Sequence, residues 1–536
     1  MSDPSIRMHA IDQVPGTAVN PWWTLAILCL SLVMIVLGNT VLNIALPTLV
    51  RELGASSSEL QWIVASYALV FAGLLLTAGA LGDRFGRKRA LTLGLLIFGA
   101  ASLASTFAST PTQLIATRAV MGAGAAFVMP ATLSILTSVF PPELRGRAIG
   151  VWAGFAGVGA AIGPIAGGWL LENFYWGSVF FLNIPIVALA IVGGHWLVPR
   201  SDDARPAALD PIGAGLSIVG MGALLYGIIE APTYGWTDPL PLAAFAIAVV
   251  FLVSFSMWEL RSKEPMLDLT FFKDPRFSAA SVAISFVFFA MFGTFFLLTQ
   301  YLQIVRDYSP LAAGLRTFPM ALTMMVAAPT AAKLTETLGA KRVVSFGLGI
   351  VAVGLILMSF IEAATPYLLL AAVLVLLAVG MSATMAPATG SIMSSLPLRK
   401  AGVGSAWNDT TRELGGALGI AVLGSVAAST YVRTLQDPIA QLPADVARAA
   451  EASLGAAVQI SDTLPAGLGI DLAGVARAAF MDAMGVAYLV AAAVALVAAV
   501  VVARYLPGSN SAMTSEPQDA TRADGHFEAR VESRAG

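Results

Sequence analysis

The feature that most constrains this chain is the recurrence of apolar stretches about 20 residues long, each long enough to cross a bilayer as a helix. They lie near 24–46, 60–81, 90–108, 113–137, 148–170, 178–198, 211–229, 240–259, 277–302, 312–334, 342–361, 367–389, 403–427 and 482–505, separated by short polar or Gly/Pro-rich loops. Of the 536 residues, 57% are hydrophobic and only 12% charged, about half the charge usual in a soluble protein. In hydrocarbon each backbone N–H and C=O must be satisfied within its own segment, so the expected fold is an all-α polytopic membrane protein with 14 transmembrane helices. A net charge of −2 gives no sign of a nucleic-acid partner. Cys29 is the single cysteine, so no disulfide framework can form. His9, His195 and His526 are too scattered for a metal site. No nucleophile–base pair or phosphate loop is visible, so neither an enzyme nor an ATP-driven pump is expected, and no cofactor is implied.

Basic residues orient the chain. Loops after even-numbered spans, with their edges, hold Arg84, Arg87, Lys88, Arg89, Arg145, Arg147, Arg200, Arg205, Arg261, Lys263, Lys273, Arg276, Lys333, Lys341, Arg342, Arg399 and Lys400. The short loops after odd-numbered spans hold little more than Arg51 and Arg306. The positive-inside rule places the even loops in the cytoplasm, and an even span count puts both termini there too. The first span is too long, and too soon followed by a second, for a cleaved signal peptide. Residues 430–480 read as a long outer loop with short Ala-rich helices at Pro443–Leu454 and Gly474–Phe480. The polar tail 506–536 reads as disordered.

An internal repeat divides the chain. The run Gly79-Ala-Leu-Gly-Asp-Arg-Phe-Gly-Arg-Lys-Arg-Ala-Leu-Thr-Leu-Gly-Leu95 is echoed by Ala332-Lys-Leu-Thr-Glu-Thr-Leu-Gly-Ala-Lys-Arg-Val-Val-Ser-Phe-Gly-Leu348. Met129-Pro-Ala-Thr132 is echoed by Ala386-Pro-Ala-Thr389. The copies fall in register only when spans seven and eight are set aside as an insert. The expected plan is a cytoplasmic segment 1–21, a six-helix bundle 22–198, a two-helix insert 199–276 and a second six-helix bundle 277–505. Repeated halves facing one another suit a rocking transporter with its substrate path between them.

The strongest motif joins spans two and three: Gly79, Asp83, Arg84, Gly86, Arg87, Lys88 and Arg89. Gly86 allows a tight turn, Asp83 at a helix end can face an arginine or a helix N-terminus, and the cations hold the loop at the membrane surface. Span five carries Gly159, Gly163, Pro164, Gly167 and Gly168, a small-residue stripe that lets helices approach closely, with a proline to bend it. Span four carries Arg118, a charge that must face the bundle interior.

These residues resemble the major facilitator superfamily. The resemblance implies that the span two–three loop latches the cytoplasmic gate, that the span-five stripe is the antiporter motif sealing the outer side, and that Arg118 takes part in proton transfer. Its counterpart in the second half is Val375. Further stretches, Asn39-Thr-Val-Leu-Asn43-Ile-Ala-Leu-Pro47, Asn183-Ile-Pro185, Pro265-Met-Leu-Asp-Leu269, Gln300-Tyr301-Leu-Gln303 and Gly402-Val-Gly-Ser-Ala-Trp407-Asn408-Asp-Thr-Thr-Arg-Glu-Leu-Gly-Gly416, resemble the fourteen-span drug:proton antiporters, including quaternary-ammonium exporters. Departures stand beside the matches: this chain has Asn39, Ala65 and Met324 where those exporters carry acids in spans one, two and ten. An amide cannot titrate or neutralise a cation.

The remaining membrane acids are in span thirteen. Asp409 and Glu413 are four residues apart on one helix face, and Arg412 lies three from Asp409. Burial favours the neutral form of an acid and a neighbouring guanidinium the charged form, a balance suited to proton exchange. Asp409 is the expected exchanging acid, with Glu413 second. The other arrangement is a permanent Arg412–Glu413 pair. Substrate-cavity candidates are Asn39, Asn43, Trp62, Tyr67, Tyr301, Trp407, Asn408 and Arg412. The expected function is proton-coupled export of hydrophobic or cationic drug-like compounds by a monomer in the cell membrane. Export of an endogenous lipid or secondary metabolite is the alternative, ahead of nutrient symport or a non-transporting receptor.

Overall fold

The computed structural model describes residues 20–199, 210–262, 265, 267–396 and 401–508. Arg200, Arg205, Lys263, Arg399, Lys400 and the tail expected to be disordered from 509 onward lie outside them. Short polar caps followed by proline start many of the helices, because proline lacks the N–H that the first helical turn leaves unpaired. Asn20 accepts from Trp22 ahead of Pro21, Thr110 from Gln113 ahead of Pro111, and Ser309 from Ala312 ahead of Pro310. Asp210, Asp238 and Asp274 cap the helices opening at Pro211, Pro239 and Pro275 in the same way. Ser56 and Glu59 form a capping box.

Among the described residues fourteen helices are long and apolar enough to cross a membrane, making this a multi-pass membrane protein. In order they are Pro21–Leu53, Ser57–Phe85, Arg87–Thr106, Pro111–Val139, Glu143–Asn173, Ser178–Leu197, Pro211–Tyr234, Pro239–Arg261, Pro275–Val305, Pro310–Leu338, Ala340–Met358, Tyr367–Ser394, Val403–Ile439 and Asp471–Tyr505. Most outrun the apolar stretches read from sequence, because helix continues past the hydrocarbon into polar flanks such as Arg51-Glu52. Span six is interrupted at Leu182, between Ser178–Phe181 and Asn183–Leu197. The last helix begins at Ala466 and absorbs Gly474–Phe480, which had been expected as a separate loop helix. What remains between spans thirteen and fourteen carries two short helices, Ala444–Ala452 and Leu454–Ser461.

The sequence repeat is also a repeat of geometry. Gly86 and its counterpart Gly339 both adopt positive φ, +104° and +81°, between consecutive spans. Spans three and four cross so closely that a Cβ on Gly94 would lie 2.7 Å from the Gly124 carbonyl oxygen. Spans eleven and twelve repeat this at Gly347, where a Cβ would lie 2.9 Å from the Gly380 oxygen. Asp83 pairs with Arg87 at 3.0 Å, and Lys88 Nζ donates to the carbonyls of His195 and Val198 at 2.8 and 2.7 Å. The basic turn is therefore tied into spans four and six of its own half, Arg87 reaching the Ser134 carbonyl. Arg84 lies over the exposed Phe85 ring, and Arg89 donates to the Phe85 carbonyl.

Span seven lies along the seam between spans two and thirteen. Leu225 and Ile228 pack with Ala65 and Leu69 on one side and Ala417 and Ala421 on the other. Trp62 donates its indole N–H to Glu230 Oε1 at 3.0 Å, while Ser425 donates to the Ile228 carbonyl at 2.6 Å. Span seven thus bonds to both span two and span thirteen.

The halves meet at the end of the bundle opposite the 82–89 turn. There Gln303 Nε2 donates to the Ile44 carbonyl at 2.8 Å, the Leu311 N–H to Glu172 Oε1 at 3.2 Å, and Gln459 to the Arg51 carbonyl at 3.4 Å. The span-five glycines make this closure possible. Gly159, Gly163 and Gly167 lie against Val36, Thr40 and Val41 of span one, and a Cβ on Gly168 would sit 2.5 Å from Leu311 Cα. Gly314 returns the contact against the Pro164 carbonyl. Toward the 82–89 end, spans five and ten are exposed on nearly all faces, and Gly146, Gly150, Gly154 and Gly157 have open space around them. A helix packed against the bundle keeps a buried stripe; these two border a gap. The molecule is closed at one end and open at the other.

Gly168→Leu should force spans five and ten apart at the closed end, read as a longer distance between spin labels at Asn173→Cys and Ser309→Cys in a Cys29→Ser background. An unchanged distance would remove the glycine contact from the seal. Gly86→Ala and Gly339→Ala should each destabilise by about 1 kcal/mol, seen as lowered thermal midpoints, because a Cβ is strained at positive φ.

Candidate functional site

A guanidinium inside a membrane span must find its partners locally. Arg118 is 1% exposed and is held by three groups of its own half. Its Nη2 donates to Asn39 Oδ1 at 3.0 Å, its Nε to the Ile63 carbonyl at 3.2 Å, and its Cζ lies 4.3 Å from the centre of the Tyr67 ring. These contacts satisfy direction without supplying negative charge, because amide, carbonyl and ring contribute only dipoles and a quadrupole. Arg118 Nη1 remains buried with no hydrogen-bond partner, as does the Tyr67 hydroxyl.

Span thirteen faces this cluster from the other half. Arg412 Nη1 lies 3.6 Å from Asp409 Oδ1, so the ion pair forms within one helical turn. Arg412 Nη2 donates to Thr389 Oγ1 at 3.3 Å, and its guanidinium lies 5.4 Å from the Phe288 ring centre. With the Asn408 amide oxygen turned toward Arg412, it accepts from Nε and Nη2 at 3.3 Å while its nitrogen donates to Thr389. Glu413 stands within electrostatic range of Arg118, Arg412 and Asp409. Its Oε2 is buried with no hydrogen-bond partner. Arg412 pairs with Asp409, and no Arg412–Glu413 salt bridge forms.

The arrangement is balanced in charge: Arg118 and Arg412 against Asp409 and Glu413. Three buried polar atoms, on Arg118, Tyr67 and Glu413, have no hydrogen-bond partner, and the three groups lie within electrostatic range of one another. Buried polar groups are rarely left unpaired, so such a cluster marks a place for a proton, water or the polar edge of a ligand. Asn43 lies one turn from Asn39, donates to its carbonyl at 3.2 Å and leaves its own Oδ1 unpartnered.

The three aromatics picked from sequence beside Tyr67 sit elsewhere. Trp62 turns toward the insert, against Tyr226 and Glu230. Tyr301, in a π-helical turn that ends span nine, donates to the Glu362 carbonyl at 3.0 Å. Trp407 stacks on Phe277 at 6.1 Å and donates to Ser281 at 2.8 Å. Phe288 and Thr389 were missed. Thr389 belongs to the repeated Pro-Ala-Thr run, which was the available signal. Phe288 is one of several phenylalanines in span nine, and spacing alone does not single it out. Glu230 was missed because the apolar stretch was ended one residue before it, whereas the helix runs to Tyr234.

The major facilitator superfamily model matches residues 28–420. The multidrug efflux pump LfrA of Mycolicibacterium smegmatis is 36% identical over 498 residues, covering 92% of this chain and 98% of that protein. The tetracenomycin C resistance and export protein of Streptomyces glaucescens is 34% identical, with 91% and 92% covered. Among solved structures, a bacterial homologue of the human lysosomal transporter Spinster shares the fold at a TM-score of 0.62 and 18% identity, over 91% of this chain and 99% of that one. This fourteen-span chain belongs to the major facilitator superfamily.

Proposed function

We propose that the protein is a proton-coupled exporter of hydrophobic drug-like compounds, working by alternating access in the cell membrane as a monomer. Relatives named for multidrug efflux and for antibiotic resistance and export support the export reading. The observation that carries the coupling is Glu413: a buried carboxylate oxygen without a hydrogen bond, across the interface from a buried arginine that has only dipoles around it. Glu413 is the proton-exchanging acid on this reading, and Asp409, tied to Arg412, sets the field around it.

With Glu413 ionised, the four charges cancel and the halves attract through Arg118. With Glu413 protonated, one positive charge is left over and that attraction is lost. A substrate occupying the orphaned groups competes for the same place as the proton, which is the requirement for antiport. The gap between spans five and ten then opens to the cytoplasm, the orientation that the basic 82–89 turn favours, with both termini on that side. Seven residues there, Gly79, Asp83, Arg84, Gly86, Arg87, Lys88 and Arg89, form the inner gate, and Gly159, Gly163, Pro164, Gly167 and Gly168 form the outer seal.

A second reading, export of an endogenous lipid or secondary metabolite, is favoured by the charge balance itself. No acid stands at Asn39, Ala65 or Met324 to hold an organic cation.

In proteoliposomes holding a pH-sensitive dye, drug-like amphiphiles should trigger proton flux that Glu413→Gln abolishes and Asp409→Asn reduces. Flux undiminished in Glu413→Gln would overturn the assignment, and silence across cationic, zwitterionic and neutral drugs would shift the reading to the endogenous substrate. Asp83→Asn and Arg84→Ala should abolish transport while expression stays near normal; full transport by both would remove the turn from the gate.

A further inference from the structure

A second cluster of charge lies at the closed end, in the second half, away from the central site. Arg306 and Arg316 flank Tyr308 in the turn between spans nine and ten. Arg316 Cζ lies 3.7 Å from the centre of the Tyr308 ring and 5.5 Å from that of Tyr367. Arg306 Nη2 donates to the Tyr308 hydroxyl at 3.0 Å, and its Nη1 donates to the carbonyls of Ala363 and Thr365 at 2.6 and 2.9 Å. Arg316 has less: Nη1 donates to the Ala312 carbonyl of its own helix, and Nε is buried with no hydrogen-bond partner.

Among the described residues neither guanidinium forms a salt bridge. Asp307, next to Arg306 in the chain, and Glu362, in the 361–366 turn that Arg306 reaches, are both exposed. Two cations thus share one phenol, and Leu315 and Leu368, next in the chain to Arg316 and Tyr367, are 50% and 82% exposed. Tyr308 lies outside the spans, and its hydrogen bond from Arg306 holds its phenol below the usual range. That shift is the mark of a local positive field.

We infer that Arg306, Arg316 and Tyr308 form a binding site for the phosphate headgroup of an anionic phospholipid, whose acyl chains run along the exposed apolar face of span ten. Charge complementarity supplies the first half of the argument. Guanidinium and phosphate match in geometry as well as sign, since the planar fork can give two parallel hydrogen bonds to phosphate oxygens. The exposed leucines supply the second, because a free phosphate has no use for Leu315 and Leu368, whereas a lipid covers them. Arg316 lies two residues beyond Gly314, which packs on Pro164 in the seal, so the bound lipid would abut the closed end of the transporter.

Native mass spectrometry of the purified full-length protein, titrated with phosphatidylglycerol or phosphatidylcholine, tests this. The wild type should retain phosphatidylglycerol in preference, and Arg316→Gln should lose about five-fold in that preference, the change expected for one basic residue at a membrane surface. Arg316→Lys should keep most of it, and both variants should melt as the wild type does in phosphatidylcholine. If Arg316→Gln fails to fold, Arg306→Lys with Tyr308→Phe gives the same comparison. Equal retention of phosphatidylglycerol by wild type and variants would overturn the site. Displacement of the lipid by inorganic phosphate would assign it to a soluble anion and overturn the lipid.

Discussion

The arrangement depends on one constraint: Arg118 is a full positive charge inside a membrane span, and its own half of the molecule offers it no negative charge. Asn39, the Ile63 carbonyl and the Tyr67 ring point it but leave the charge standing. The field of that charge ends on span thirteen, where Asp409 is already committed to Arg412 and Glu413 is not. On the proposed reading, the two sides are linked by an attraction that one proton can remove, which gives a use to four charged residues placed within the spans of a chain that is only 12% charged.

Closure at the far end rests on packing and single hydrogen bonds. Glycines in spans five and ten bring backbones into contact, and hydrogen bonds from Gln303, from the Leu311 N–H to the Glu172 carboxylate and from Gln459 cross from helix to helix. Such contacts are weak individually, so they can be broken and remade one at a time. Span seven is bonded to Trp62 of span two and to Ser425 of span thirteen, and so couples those two spans.

Much of this was legible in the sequence, for physical reasons that differ by feature. Spans are legible because the bilayer demands apolar runs of fixed length, and the repeat because Gly86 and Gly339 both need positive φ. The helices' full lengths were not, since hydropathy sees only the part in hydrocarbon and stops before polar flanks; Glu230 was lost for that reason. The charged residues of the site stood out because charge in a membrane is costly enough to be a signal. Their pairing lay open between Asp409 and Glu413, and Arg412 takes Asp409, the partner at i,i+3 spacing on the helix. Aromatics were the least legible. Tyr301 and Trp407 fall in family-like stretches and Trp62 does not, and each of the three uses its polar atom to bond another element, at the Glu362 carbonyl, Ser281 and Glu230.

The central claim is that Glu413 carries the exchanged proton. Infrared difference spectroscopy on the purified protein tests it most directly, by following the carboxylic acid C=O band as substrate is added. The account predicts loss of a protonated-carboxyl band on substrate binding in the wild type, and no such band in Glu413→Gln. The same band loss persisting in Glu413→Gln, or vanishing only in Asp409→Asn, would contradict it.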